Sequence, residues 1–105
     1  MDPKTVHERR DELHLLDVRE DEEWAAGRID GATHIPLAQL PARLAELDRT
    51  QSVVTICRSG GRAGRAADYL AQTGMTAEVM DGGMTRWADT GLPVTTPDGR
   101  PGHVA

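Results

Sequence analysis

A chain of 105 residues with a formal net charge of -5 and a single cysteine is sized for one domain, residues 1-105, that folds on its own core without disulfide staples. The acidic balance argues against nucleic acid or an anionic membrane as partner, and no apolar run reaches the length of a signal segment or membrane span, which makes the reducing cytoplasm the default compartment. With 38% apolar residues, no Phe, and Trp24, Trp87 and Tyr69 as the aromatics, the core has to be built from Leu, Val, Ile, Met and Ala, as suits a small α/β domain.

Residues 1-12 are polar, and Thr5 is a candidate N-cap for a short helical turn through Val6 and Arg9. Leu13 to Arg19 is a compact apolar run that breaks into charge at Arg19 and Glu20, the pattern of a buried strand reaching the end of its sheet. Asp21, Glu22 and Glu23 then place acids in the first turn of a short helix that Gly27 stops, with Trp24 as a core residue. The stretch Arg28 to Pro36 reads as a turn at Asp30-Gly31 and a brief strand ended by proline. Leu37, Leu40, Leu44 and Leu47 carry the spacing of an amphipathic helix, provided Pro41 falls in its first turn.

Ser52 to Ile56 is the central strand, and Gly64 to Gln72 is a helix whose Ala63, Ala66, Ala67 and Leu70 face lets it approach the sheet closely before Gly74 ends it. Thr76 to Met80 forms a last short strand, and Asp81-Gly82-Gly83 turns into a helix carrying Met84 and Trp87, stopped at Gly91-Leu92-Pro93. The domain core spans about residues 5-94, and residues 95-105 form a mobile or surface-draped tail. Strands alternating with helices imply a small, mainly parallel sheet with helices on both faces, a three-layer α/β domain.

The chemistry concentrates between the central strand and its helix. Cys57-Arg58-Ser59-Gly60-Gly61-Arg62 follows the strand directly, and two glycines let the backbone curl so that several N–H groups point inward, with a helix start adding partial positive charge. Such a ring holds an anion and, together with Arg58 and Arg62, favours the thiolate of Cys57 at its mouth. Ser59 has no Gly-x-Ser-x-Gly surroundings and reads as a hydrogen-bonding residue. Arg65 reads as a solvated residue that pairs with Asp68 along the helix. A buried structural cysteine is the competing reading for Cys57. His7, His14, His34 and His103 lack metal-ligand spacing, so no metal site is expected.

Four ordered segments together resemble a single-domain rhodanese over about residues 13-94. They are Leu15-Leu16-Asp17-Val18-Arg19; Trp24 with Gly27-Arg28-Ile29-Asp30-Gly31-Ala32 and Ile35-Pro36; the Cys57 to Arg62 loop; and Gly82-Gly83-Met84-Thr85-Arg86-Trp87 with Gly91-Leu92-Pro93-Val94. The resemblance implies the rhodanese α/β fold and a thiosulfate sulfurtransferase activity in which Cys57 carries a persulfide. It further implies that the loop amides and Arg62 bind the sulfur or its donor. Two positions depart from the family pattern: Arg28 stands where His is frequent, and Ala63 where Ser is frequent.

The chemistry so implied moves sulfane sulfur from thiosulfate or a related donor to a thiol or cyanide, or to a sulfur-accepting protein, and calls for no metal or organic cofactor. Phosphatases and arsenate reductases use a similar loop one residue longer, Cys-x5-Arg, where this chain has Cys-x4-Arg. A non-catalytic module that carries sulfur or senses redox state is the alternative from a different class.

Overall fold

The apolar runs Leu13–Asp17 (β1) and Ser52–Ile56 (β3) lie side by side at the centre of a four-stranded parallel sheet in the computed structural model, which describes residues 1-105. Thr33–His34 (β2) flanks β1 and Ala77–Val79 (β4) flanks β3, giving the order β2-β1-β3-β4. Parallel neighbours cannot be joined by a tight hairpin, so each connection carries helix: Asp21–Ala26 (α2), two 3-10 segments (Leu37–Gln39 and Pro41–Glu46) and Gly61–Gln72 (α3). Pro3–Glu8 (α1) and Gly83–Asp89 (α4) begin and close the series.

Side chains alternate along the two central strands, which sorts them into two cores, one on each face of the sheet. Val53 and Cys57 join Leu16, Val18, Ile35, Leu40, Leu47 and the α3 residues Ala63, Ala66 and Leu70. Val54 and Ile56 join Leu13, Leu15, Val6 of α1, and Met84 and Trp87 of α4. The expected layering is therefore present, with buried apolar runs in the middle of the sheet because helices cover both its faces.

The end of α3 shows how local chemistry sets the frame. Gly74, at φ +91, donates to the Ala71 carbonyl at 3.0 Å, and the Met75 N–H reaches the Leu70 carbonyl at 3.1 Å. This pair of bonds closes the helix, and Leu70 and Met75 both enter the core beneath it.

Several boundaries differ from the sequence reading for identifiable reasons. Asp2, not Thr5, caps α1: its carboxylate accepts from the Thr5 N–H at 2.9 Å, and Pro3 occupies the first helical position. The leucine stripe from Leu37 to Leu47 is not an α-helix. Pro41 has no N–H to return to the Leu37 carbonyl, so the chain tightens instead, with Leu40 N–H on Leu37 and Arg43 N–H on Leu40, both at 3.2 Å. Leu40 and Leu47 are still delivered to the core. The last residues are draped over the surface: Thr95 pairs with Arg28 and Pro101, and the His103 N–H donates to the Ala26 carbonyl at 3.1 Å.

Candidate active site

Cys57 follows β3 at the C-terminal edge of the sheet, the edge at which open α/β sheets present their ligand crevices. Its sulfur is held by backbone. The N–H groups of Gly60 and Ala63 point at Sγ from 3.0 and 3.3 Å. Gly60 makes this turn possible at φ +126, a region closed to most side chains, and its carbonyl accepts the first bond of α3 from Gly64 at 2.9 Å.

The loop is anchored from behind by α4. Met84 N–H donates to the Cys57 carbonyl at 2.9 Å and Thr85 N–H to the Arg58 carbonyl at 3.0 Å, so loop carbonyls turn outward while the amides turn in. Gly83 permits that contact, because a β-carbon there would lie 2.4 Å from the Cys57 oxygen and 2.6 Å from the Arg58 carbonyl carbon. The Gly82-Gly83 pair, which the sequence shows as a turn and as the start of the fourth segment of the resemblance, thus supports the loop from behind. On the α3 side, the buried Thr55 hydroxyl donates to the Ala63 carbonyl at 2.8 Å and fixes the first turn of the helix against β3.

Cys57 is only 1% exposed, so its sulfur lies at the floor of the loop rather than at its mouth. Arg58, Ser59 and Gly61 are exposed around it, and Gly60 and Arg62 are half-buried. Only a protruding terminal atom of a ligand reaches such a floor. The surface hollows of the molecule lie elsewhere, the largest, of about 490 Å³, being lined by Pro41, Ala42, Leu44, Ala45, Leu47 and Arg49. The loop around Cys57 presents polar and charged groups to solvent rather than an apolar hollow.

The loop brings Arg62 beside Cys57, but its guanidinium is already paired. Its two terminal nitrogens meet the two carboxylate oxygens of Glu23 at 2.6 and 2.9 Å. The hydrogen bonds from Arg62 hold the Glu23 carboxyl down to about 2 from an ordinary 4.5, and Glu23 in turn raises the Arg62 guanidinium. Glu23 also accepts from the Glu20 N–H at 2.9 Å, so it does stabilise the start of α2 as the sequence suggests. Its second role was not legible there. Arg65 is exposed and forms no ion pair with Asp68.

Beneath Glu23 lies a residue the sequence reading placed at a solvated strand end. Arg19 is fully buried, with its Nε and one terminal nitrogen on Asp17 at 2.8 to 3.1 Å and further bonds to the carbonyls of Gly27 (2.8 Å) and Glu23 (3.3 Å). It clamps the middle and the C-terminal end of α2 to the end of β1. Trp24 is half-buried rather than core: it stacks on His34 with ring centroids 4.7 Å apart, and the Arg28 guanidinium carbon sits 4.2 Å from its ring. Trp87 is core as expected, its indole N–H on the Pro93 carbonyl at 2.8 Å.

The sequence profile of the rhodanese-like domain matches residues 2–90. The chain belongs to the rhodanese-like domain family. It is 37% identical over 90 residues to a protein of Allochromatium vinosum named sulfurtransferase, covering 85% of this chain and 84% of that one. It is also 42% identical over 80 residues to YtwF of Bacillus subtilis, covering 76% and 78% of the two chains. Among solved structures, a rhodanese-related protein from Thermoplasma volcanium superposes with a TM-score of 0.87 at 29% identity, over 90% of this chain and 95% of that one. No helix of this rhodanese-like chain is long and apolar enough to cross a membrane.

Proposed function

We propose that this chain, read as one domain over residues 1-105, is a cytoplasmic thiosulfate sulfurtransferase in which Cys57 is the nucleophile and carries sulfane sulfur as a persulfide. The observation that supports this most directly is the pair of backbone N–H groups, from Gly60 and Ala63, aimed at the sulfur itself. Cys57 packs among apolar side chains as a structural cysteine would, but two backbone donors also converge on its sulfur, an arrangement suited to holding charge that arrives there during transfer. Family membership and a relative named sulfurtransferase support the same reading.

In the first half-reaction the Cys57 thiolate attacks the outer sulfur of thiosulfate, the sulfur–sulfur bond of the donor breaks, and sulfite departs with the electron pair. In the second, a thiolate or cyanide attacks the terminal sulfur of the persulfide, giving a new persulfide or thiocyanate and restoring the Cys57 thiolate. Charge is conserved in each step, and neither needs an external oxidant. Arg58, Ser59, Gly60, Gly61 and Arg62 surround the path to the sulfur and bind the donor, Arg62 through its charge while its terminal nitrogens stay on Glu23, with the loop amides taking up negative charge as it moves onto the terminal sulfur. A thiol-bearing protein is an equally suitable acceptor, because the loop is exposed on the surface.

The test is intact mass after incubation with thiosulfate, with a gain of one sulfur atom that dithiothreitol removes. Cys57→Ser fills the same space but cannot form a persulfide, so it abolishes both the gain and the turnover to thiocyanate. Turnover retained in a purified Cys57→Ser variant overturns the assignment. Sulfur loading without discharge to any small acceptor assigns the chain instead as a carrier for a protein partner.

A further inference from the structure

We propose that Glu23 sets the net charge of the sulfur site, so that donors carrying one negative charge are selected over donors carrying two. The inference rests on the sulfurtransferase reading and concerns which donor that site takes best. Two arginines in the loop suggest a strongly cationic site, but the geometry leaves only one of those charges unbalanced. Arg58 is exposed and forms no ion pair, while Arg62 is bound at both terminal nitrogens by Glu23. Arg58, Arg62 and Glu23 together amount to one net positive charge facing the donor. The exposed carboxylate of Glu20 acts on Arg62 in the same direction but only weakly, because solvent screens it.

Glu23 is not a mobile surface acid that a donor could push aside. Its side chain is 15% exposed and that of Arg62 29%. Its Oε1 also holds the Glu20 N–H, and the carbonyl of the same residue accepts from buried Arg19. A donor that took Arg62 for itself would leave a largely buried carboxylate unpaired, which costs more than an exposed ion pair returns. With its carboxyl held down to about 2, Glu23 is ionised at neutral pH. Thiosulfate, a dianion, therefore brings a charge that the site does not match. An alkyl persulfide anion brings one charge and the same terminal sulfur. Cys57 attacks that sulfur, the sulfur–sulfur bond of the donor breaks, and the electron pair leaves on the alkylthiolate, so that two anions yield two anions. With exposed Arg58 and Ser59 and half-buried Arg62 around the sulfur, charge is the main means of discrimination.

The experiment is a charge cycle on the full chain. The rate of Cys57 persulfidation is followed by intact mass with thiosulfate and with hydroxyethyl persulfide, in wild type, Glu23→Gln, Arg62→Gln and the double variant, and the ratio of the two rates is the readout. Removing the negative charge that balances Arg62, across a partly solvated path, raises the thiosulfate-to-persulfide ratio roughly three- to tenfold in Glu23→Gln. Arg62→Gln lowers it by a similar factor, and the double variant, again balanced, returns the ratio to within about twofold of wild type. A purely structural role for the pair would shift all three variants alike. Should Glu23→Gln not fold, the opposite shift in Arg62→Gln carries the decision. A ratio that is unchanged, or moves the same way in every variant, overturns the proposal while leaving sulfur transfer intact. If wild type gains sulfur from neither donor, the sulfurtransferase reading itself is overturned and this proposal with it.

Discussion

Two helices flank the candidate nucleophile, and they are held by different forces. Helix α3 buries Ala63, Ala66, Ala67 and Leu70 against the sheet and presents its first turn to the sulfur as backbone N–H groups. Helix α2 buries no residue completely. It is fixed by the Arg19 guanidinium on the carbonyls of Glu23 and Gly27, by the bond from Glu20 N–H to Glu23, and by Trp24 between His34 and Arg28. The apolar helix supplies geometry, and the polar helix supplies charge. Backbone donors seated on a packed face change little with pH or with one side chain, whereas a carboxylate on a helix fixed by hydrogen bonds can be altered by a single substitution.

The largest effect that separates the two comes from removing what fixes α2. Arg19→Met leaves Asp17 buried without its charged partner, 1% exposed, and frees α2 at its middle and C-terminal end. Stability to urea should fall by about 3–5 kcal/mol, the usual cost of orphaning one member of a buried pair. Much of the cost lies in the stranded carboxylate, so Asp17→Asn with Arg19→Met recovers a good part of it, the Asn oxygen still accepting the Arg19-position N–H that Asp17 holds at 3.0 Å. A double variant no more stable than Arg19→Met alone would show that the clamp on α2, not the buried charge, dominates.

On the other side, Gly83→Ala attacks the backbone cradle. A β-carbon at φ +59 and 2.4 Å from the Cys57 oxygen forces α4 away from the loop. The expected loss is about 2–3 kcal/mol of stability, from overpacking plus backbone strain. Sulfur loading should drop further, roughly a hundredfold if the loop shifts by about an ångström. Stopped-flow persulfidation alongside urea denaturation separates the two effects. Loading that falls only in proportion to unfolding would mean that α4 supports the fold without shaping the loop.

These contrasts also explain what the sequence could show. The β3, loop and α3 series was legible because every part of it is local: a β-branched run, two glycines, a small-residue face at helical spacing, and a glycine stop, all within residues 52-74. The Glu23 pair with Arg62 spans 39 positions, and nothing in either neighbourhood distinguishes it from ordinary helix-start charge. Arg19 did leave a faint signal: it stands two positions after Asp17 at the end of a buried strand, where alternation puts both on one face. Arginine is ordinarily exposed, which masks that signal. A helical tryptophan in so small a domain reads as core, but a six-residue helix with no buried side chain gives the Trp24 indole only one wall to lie on. The stripe of leucines was correct about burial and wrong about pitch, since spacings of three and four suit α and 3-10 turns alike until Pro41 decides between them.

The smallest expected effect isolates the charge that α2 delivers. In the folded chain the Glu23 carboxyl titrates near 2, against 4.5 when free, chiefly because Arg62 donates two hydrogen bonds to its anion. A carboxyl lowered in this way adds stability that is fully present above 4.5 and disappears as the pH falls through 2. Allowing for partial exposure of both side chains, the contribution is roughly 1–2 kcal/mol at neutral pH. The stability of Glu23→Gln should therefore lie below that of wild type at pH 6, and the gap should close between pH 4.5 and 2, within which wild type alone gives up the pair. Urea denaturation of both proteins at several pH values in that window measures it. Other carboxylates titrate there too, but they are common to both proteins and cancel in the difference. Because the amides of Gly60 and Ala63 do not titrate, Cys57→Ser, which retains α3 and its packing, should show the same acid limb as wild type. A gap between wild type and Glu23→Gln that persists unchanged to pH 2 would mean that Glu23 acts through its shape and its bond to the Glu20 N–H, and the division between a helix that gives geometry and a helix that gives charge would no longer hold.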